Sequence, residues 1–263
     1  MPRLAANLTL LFTELPFMER FAAAARAGFS GVVSLLPYTE APAEVVRDAL
    51  QRHQLHQVLF NLPAGDWAAG ERGIACLPER VDEYRAGVER VLPYAHALGC
   101  TQLNCLAGLC PDGIARERLE DTLRENLRWT AQRLANEGIR LMVEAINSKI
   151  DMPGFLLDTS ARTLDLIDSV GEPNLFMQYD LYHMQIMEGD LLRTLQTHLS
   201  RIGHIQFADN PGRHEPGTGE INIARIFDCL DQWGYAGWVS AEYRPLGTTE
   251  ISLEALRPWL APA

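Results

Sequence analysis

The sequence predicts a single α/β domain folded as a closed (β/α)8 TIM barrel, on three observations. Short apolar runs alternate with longer amphipathic ones from end to end, which calls for a parallel sheet with right-handed helical crossovers. Eight such units fill 263 residues, the size at which single barrels of roughly 250 residues close. The first strand runs into Leu10-Leu11-Phe12-Thr13-Glu14 with no GxGxxG or P-loop turn, the phosphate signal usual in the rival open, doubly wound sheet.

In chain order, the apolar run Ala6–Phe12 reads as the first strand and Pro16–Ala27 as its helix, opened by proline and closed by Gly28. Gly31–Pro37 and the amphipathic Ala41–His53 form the second unit, and Gln57–Leu62 the third strand. Pro78–Leu98 is the third helix, ended by Gly99; Pro93 inside it predicts a kink or a split. Thr101–Ala107 with Ala115–Asn136 (then Gly138), and Arg140–Ile146 with Ser160–Val170 (then Gly171), are units four and five. Leu175–Asp180 with Asp190–Arg201, His204–Ala208 with Ile223–Trp233 (then Gly234), and Trp238–Tyr243 with Ser252–Leu260 complete eight strands and eight helices. No composition shift, linker or low-complexity stretch divides residues 1–263.

Lys+Arg 23 against Asp+Glu 34 gives a net charge of −11. Without a basic run, that balance argues against nucleic acid or an anionic membrane as partner and leaves a small molecule. No apolar run approaches the ~18–20 residues of a membrane span, and the N-terminal residues lack a secretory apolar core. Five cysteines without a CxxC pair fit a reducing compartment. A cytoplasmic protein is expected. Cys105 and Cys110 flank a glycine-containing strand end and read as buried small hydrophobes before they read as nucleophiles. Trp and Phe along the helices serve either the core or a homo-oligomeric contact.

A barrel carries its chemistry at the C-terminal ends of its strands. Strand five reads LMVEAIN, strand six MQYDLYH, strand seven HIQFADN and strand eight VSAEYRP. Four successive strands thus bring Glu144, Asp180, Gln206 and Glu242 to the expected mouth. A carboxylate in an apolar strand needs a partner or it neutralises. Two readings follow: salt bridges to arginines at the rim, or a hard divalent cation shared by all four, for which three carboxylates and one amide oxygen suit Mg2+ or Mn2+. His183, three residues past Asp180, is placed to donate to a substrate oxygen. Arg213, in the turn-rich segment Asp209 to Glu220, suits a substrate carboxylate. The loop from Asn61 to Gly73, with Trp67 and Arg72, suits a lid that adds a second cationic contact. Each of these three also reads as an ordinary loop residue.

Three long stretches carry a family resemblance: NLPAGDWAAGERGIA from Asn61, QYDLYHMQIMEGD from Gln178 and ADNPGRHEPGTGEIN from Ala208, with the closing EYRP at Glu242. The chain resembles the hydroxypyruvate isomerase family of the xylose-isomerase-like barrels over nearly its whole length. The resemblance implies interconversion of hydroxypyruvate and 2-hydroxy-3-oxopropanoate in glyoxylate metabolism, with Glu144 and Glu242 as the proton donor/acceptor pair. It also implies a divalent metal held by the residues matching Glu144, Asp180, Gln206 and Glu242. Related sugar epimerases have histidine where this chain has Gln206, which favours an all-oxygen site. Two departures stand out. Val33 falls where the family commonly has glutamate, with Glu40 nearby, and the turn after strand five is one residue longer.

The residues then predict an isomerisation through an enediolate, with the glutamates moving the proton between C3 and C2. Rival readings are a 2-oxo-tetronate isomerase, a ketose 3-epimerase, a metal-dependent endonuclease of the same superfamily, and a non-catalytic carbohydrate-binding barrel. The charge of −11 opposes the endonuclease, and the paired glutamates oppose the non-catalytic barrel.

Overall fold

The computed structural model describes residues 2–260. Eight parallel strands close in the order β1-β2-β3-β4-β5-β6-β7-β8: β1 Arg3–Asn7, β2 Gly31–Val33, β3 His56–Asn61, β4 Gln102–Cys105, β5 Arg140–Glu144, β6 Leu175–Asp180, β7 Ile202–Phe207 and β8 Trp238–Ala241. Around them run α1 Phe17–Arg26, α2 Ala43–Arg52, α3 Val81–Leu98, α4 Arg116–Ala135, α5 Ser160–Val170, α6 Leu181–Met187, α7 Leu191–His198, α8 Ile223–Gln232 and α9 Thr249–Ser252. The strands bury nearly every residue because helices cover the outside and side chains fill the inside. Among the described residues, no helix is long and apolar enough to cross a membrane.

Four expectations are corrected. The first strand begins at Arg3 and ends at Asn7 rather than spanning Ala6–Phe12. Asn7 ends it: its Oδ1 accepts from Thr9 N, and its carbonyl accepts from Leu10 N and Leu11 N. Leu8 and Leu11 are buried in the turn that follows, so the apolar run outlasts the strand. The third helix is not split in two; α3 is continuous through Pro93, which lies on its exposed side, where the lost N–H bond is open to water. A ninth helix, α6, follows β6 directly. Its start is capped by Asp180 Oδ1, which accepts from Tyr182 N at 2.8 Å. Finally, the last segment is α9 followed by a 3-10 stretch, Leu253–Trp259, with Pro258 inside it. Glycines 28, 99, 138, 171 and 234 all take the left-handed conformation that ends their helices.

Candidate active site

The strand pleat aims alternate side chains inward, and at the C-terminal rim those inward positions are polar. They join into a belt. Asn104 donates its amide to Asn61 Oδ1 (3.1 Å) and Glu144 Oε2 (3.2 Å). Gln178 Nε2 donates to Glu144 Oε2 (2.7 Å) and Gln206 Oε1 (2.8 Å). Gln206 Nε2 donates to Glu242 Oε2, as does Asn7 Nδ2 at 2.8 Å. The belt thus runs from β3 round to β1 and is interrupted at β2. There Val33, in register with Asn7, is fully buried among Ala5, Leu59 and Met142. The glutamate expected at Val33 is replaced by apolar packing.

Each acid in this belt has one oxygen tied to neutral N–H donors and one turned to a shared centre. Glu144 Oε2 is held by Asn104 and Gln178, Glu242 Oε2 by Asn7 and Gln206, and Asp180 Oδ1 by the start of α6. Asp180 Oδ2 is buried with no hydrogen-bond partner among the described residues. The one cation that reaches the centre among the described residues is Arg213, whose Nη2 lies 2.7 Å from Glu242 Oε1 and 3.6 Å from Asp180 Oδ2. The rim salt bridge therefore forms, but one arginine faces three carboxylates. Burial, reinforced by the charges of Glu242 and Asp180, pushes the Glu144 carboxyl well above the usual range. Burial also pushes Glu242 up to about 7, against the pull of Arg213, and it raises Asp180 in the same way.

His183 opens onto the same centre. Burial, with Arg213 beside it, holds its pKa well below 6.5, so the ring is neutral. Its tautomer is set by Asn147, whose Oδ1 accepts from Ile150 N and Asp151 N and whose Nδ2 therefore donates to His183 Nδ1 at 2.6 Å. The ring proton then sits on Nε2, 3.6 Å from Asp180 Oδ2. Glu144, Asp180 and His183 each bring one ligand-type atom within 4.8 Å of the others, but this tautomer offers a donor, not a lone pair, to the centre.

Asp209 explains how Arg213 is delivered. Its fully buried carboxylate accepts from the backbone N–H groups of Asn210, Gly217, Gly219 and Ile221 at 2.8–2.9 Å and so organises the whole β7–α8 loop. The loop then holds Arg213 at φ 59°, with its carbonyl accepting from Arg244 N at 2.7 Å.

The structure thus brings Glu144, Asp180, Gln206, Glu242, His183 and Arg213 together. It does not bring Arg72 to them. That guanidinium stacks over Trp67 at 4.1 Å and donates to the carbonyls of Trp67 and Glu71 within its own loop. Gln206 also differs from expectation, since it shows Glu242 its amide nitrogen, not its oxygen. Sequence reading missed Asn7, Asn104, Asn147, Gln178 and Asp209. The signal available for the first two and Gln178 was an amide inside an otherwise apolar strand.

Does the arrangement fit a divalent cation? With all three carboxyls ionised, Arg213 and a neutral imidazole leave two negative charges uncompensated, and Asp180 Oδ2 has no hydrogen-bond partner among the described residues. An all-oxygen donor set with that charge suits Mg2+ or Mn2+. The residues fit.

Comparison with known proteins places the whole chain. The chain is 49% identical to hydroxypyruvate isomerase of Escherichia coli (strain K12), over 98% of this chain and 100% of that protein. It is 43% identical to 2-oxo-tetronate isomerase of Pectobacterium atrosepticum, over 99% and 98%. A crystal structure named as an AP endonuclease, family 2, from Brucella melitensis superposes with a TM-score of 0.96 at 45% identity, covering 99% of this chain and 100% of that one. A family model for the xylose isomerase-like TIM barrel matches residues 21–260. A closed eight-stranded barrel, matched to that family over nearly all its length, makes this chain a member of the xylose isomerase-like TIM barrel family.

Proposed function

We propose that this protein is an aldose–ketose-type isomerase interconverting hydroxypyruvate and 2-hydroxy-3-oxopropanoate. The observation that carries the reading is the pair of buried glutamates, Glu144 and Glu242, each with one oxygen held by amide donors and both beside Asp180, whose carboxyls burial raises, Glu242 to about 7 and Glu144 well above the usual range. A carboxyl whose proton affinity lies near the working pH can both take and return a proton. One glutamate removes the proton from C3 of hydroxypyruvate, and a proton is delivered to C2 while the hydroxyl proton passes from O3 to O2. The His183 Nε2–H donates to a substrate oxygen and holds developing negative charge there. Arg213, whose Nη1 donates to no other group among the described residues, is the carboxylate contact; Arg72 is a second only if the Trp67 loop moves. The belt of amides keeps each glutamate in one orientation.

Glu144, Asp180 and Glu242 would hold a divalent cation, Mg2+ or Mn2+, with Gln206 joining when its amide turns its oxygen inward. Such a cation supplies Lewis-acid stabilisation of the enediolate charge. Net charge −11 supports a small-molecule partner, and five free cysteines support a reducing, cytoplasmic setting. We take residues 1–263 as one domain, and a homo-oligomer as a reading that sizing of the protein in solution tests.

The test is turnover in D2O, following deuterium at C3 of hydroxypyruvate. Glu144→Gln and Glu242→Gln should each lower turnover by about 10²–10⁴-fold, the worth of one positioned acid–base group. Near-full turnover by either variant defeats the two-glutamate scheme, and full activity after exhaustive EDTA treatment defeats the cation. A four-carbon substrate is the second reading, favoured by the full-length match to 2-oxo-tetronate isomerase. A panel of three- and four-carbon keto acids separates the two.

A further inference from the structure

Arg213 lies against two of the oxygens that would hold a cation. The two centre-facing oxygens of Asp180 and Glu242 both look at its Nη2, at 3.6 and 2.7 Å. Their other oxygens are engaged by backbone and amide donors and cannot turn without breaking the belt. A Mg2+ or Mn2+ ion bonds oxygen at about 2.0–2.2 Å, closer than the nitrogen already lying against Glu242. A cation held by these two oxygens would compete with the guanidinium for the same negative charge. Like charges this close in a buried site also repel strongly.

We propose that Arg213 is the resident counter-ion of the acidic centre, that a divalent cation displaces it from Glu242 and Asp180, and that the released guanidinium becomes the contact for the substrate's carboxylate. The inference rests on the divalent-cation reading above. Three features make the exchange practicable. Among the described residues the side-chain hydrogen bonds of Arg213 go to Glu242 alone, Nε to its carbonyl at 3.4 Å and Nη2 to its carboxylate, and the Asp180 contact is the looser 3.6 Å ion pair. Its Cζ lies 5.2 Å over the Tyr182 ring, a surface along which a planar guanidinium can slide. And its backbone is held independently, by the Asp209-organised loop and by Arg244 N, so the side chain moves without unfolding the loop. The loss of a surrogate cation is compensated by a real one, which makes cation loading and carboxylate binding cooperative, not independent.

Mn2+ affinity by calorimetry is the first test. Arg213→Gln should bind Mn2+ at least about tenfold more tightly than the wild type, because the competitor is gone. Arg213→Lys, which keeps the charge but not the fork, should fall between them. The second test uses the unaltered protein and a diamagnetic ion. Mg2+ should speed water exchange of the Arg213 Nε–H, read by 15N NMR, by about tenfold or more, since the group leaves its protected contacts. Equal or weaker Mn2+ binding by both variants, or an Nε–H that stays protected when Mg2+ saturates, overturns the displacement while leaving the cation reading intact. No Mn2+ binding by the wild type or either variant overturns both.

Discussion

Asn147 donates its side-chain amide to His183 Nδ1 at 2.6 Å, and that bond decides which end of the imidazole carries the proton. The amide cannot turn over, because Ile150 N and Asp151 N occupy its oxygen. A histidine whose Nδ1 only accepts must donate from Nε2, toward Asp180 and the centre.

Asn147→Asp reverses this logic with almost no change of shape. The amide donates both to His183 Nδ1 and to Asp151 Oδ2 (2.7 Å); a carboxylate in its place accepts from the ring, so the ring proton moves to Nδ1 and the donor at the centre disappears, while two carboxyls come to face each other. Turnover should drop by about 10- to 100-fold, the scale of one stabilising donor in a buried site, with a smaller change in KM. The 15N shifts of His183 should report the exchanged tautomer. An Asn147→Asp enzyme with the exchanged tautomer and wild-type turnover would show that His183 does not act as a donor, and an unchanged tautomer would show that Asn147 does not set it.

Asp209 is the second residue whose effect is exerted at a distance. It satisfies four backbone N–H groups, and Asn can accept at only one of its two side-chain positions. Asp209→Asn therefore sets two backbone donors, at most one of them fully buried, against an NH2 group and should cost about 1–2 kcal/mol of stability, a fall in Tm of a few degrees. It also loosens the loop that delivers Arg213. A rise in KM for hydroxypyruvate beyond the fall in kcat is the expected kinetic mark; an unchanged KM would mean Arg213 is positioned by its own contacts alone.

Much of this was legible from the chain and some was not, for physical reasons. Ser160–Val170 and Leu175–Asp180 match the sequence reading residue for residue, because Thr159 caps the helix, Gly171 ends it, and the strand is a continuous apolar run closed by a capping aspartate. The four rim residues were legible because a polar residue in a buried strand is conspicuous. Their partners were not. Whether Gln206 turns oxygen or nitrogen toward Glu242 depends on Gln178, from a neighbouring strand, and no local pattern encodes it. Leu8 and Leu11 misled the strand assignment since burial in a turn and burial in a strand look alike in one dimension.

Protons and a cation compete for the same carboxylates, which gives the cation affinity a direction in pH. Burial raises Glu242 to about 7 and lifts Glu144 well above the usual carboxyl range, so the protons these groups hold must leave before a cation can bind. Mn2+ affinity should rise from pH 5 to pH 8, by about tenfold per pH unit for each proton displaced. Calorimetry in buffers of different ionisation enthalpy should show proton release at pH 6. A pH-independent affinity with no proton release would mean the carboxyls are already ionised in the cation-free protein.

Deeper in the barrel, His204 gives stability a pH dependence of its own. It is fully buried, its Nε2 is paired with Ser240 Oγ at 2.8 Å, and its Nδ1 has no partner among the described residues. Burial lowers its pKa from 6.5 to about 3, with Arg140 adding to the shift. In the unfolded chain the ring protonates below 6.5, while in the barrel it stays neutral until about 3. Within that window the unfolded state binds the extra proton, so stability is lost as pH falls from 6.5 toward 3. His204→Gln keeps a partner for Ser240 and removes the titration. Urea melts of the two proteins should diverge below pH 6.5, with the wild type losing about 1.4 kcal/mol more per pH unit. Because Glu242, Glu144 and His183 titrate in both proteins, the difference between the two curves isolates His204. Parallel curves from pH 7 to pH 4 would mean that the ring takes up its proton within the folded barrel.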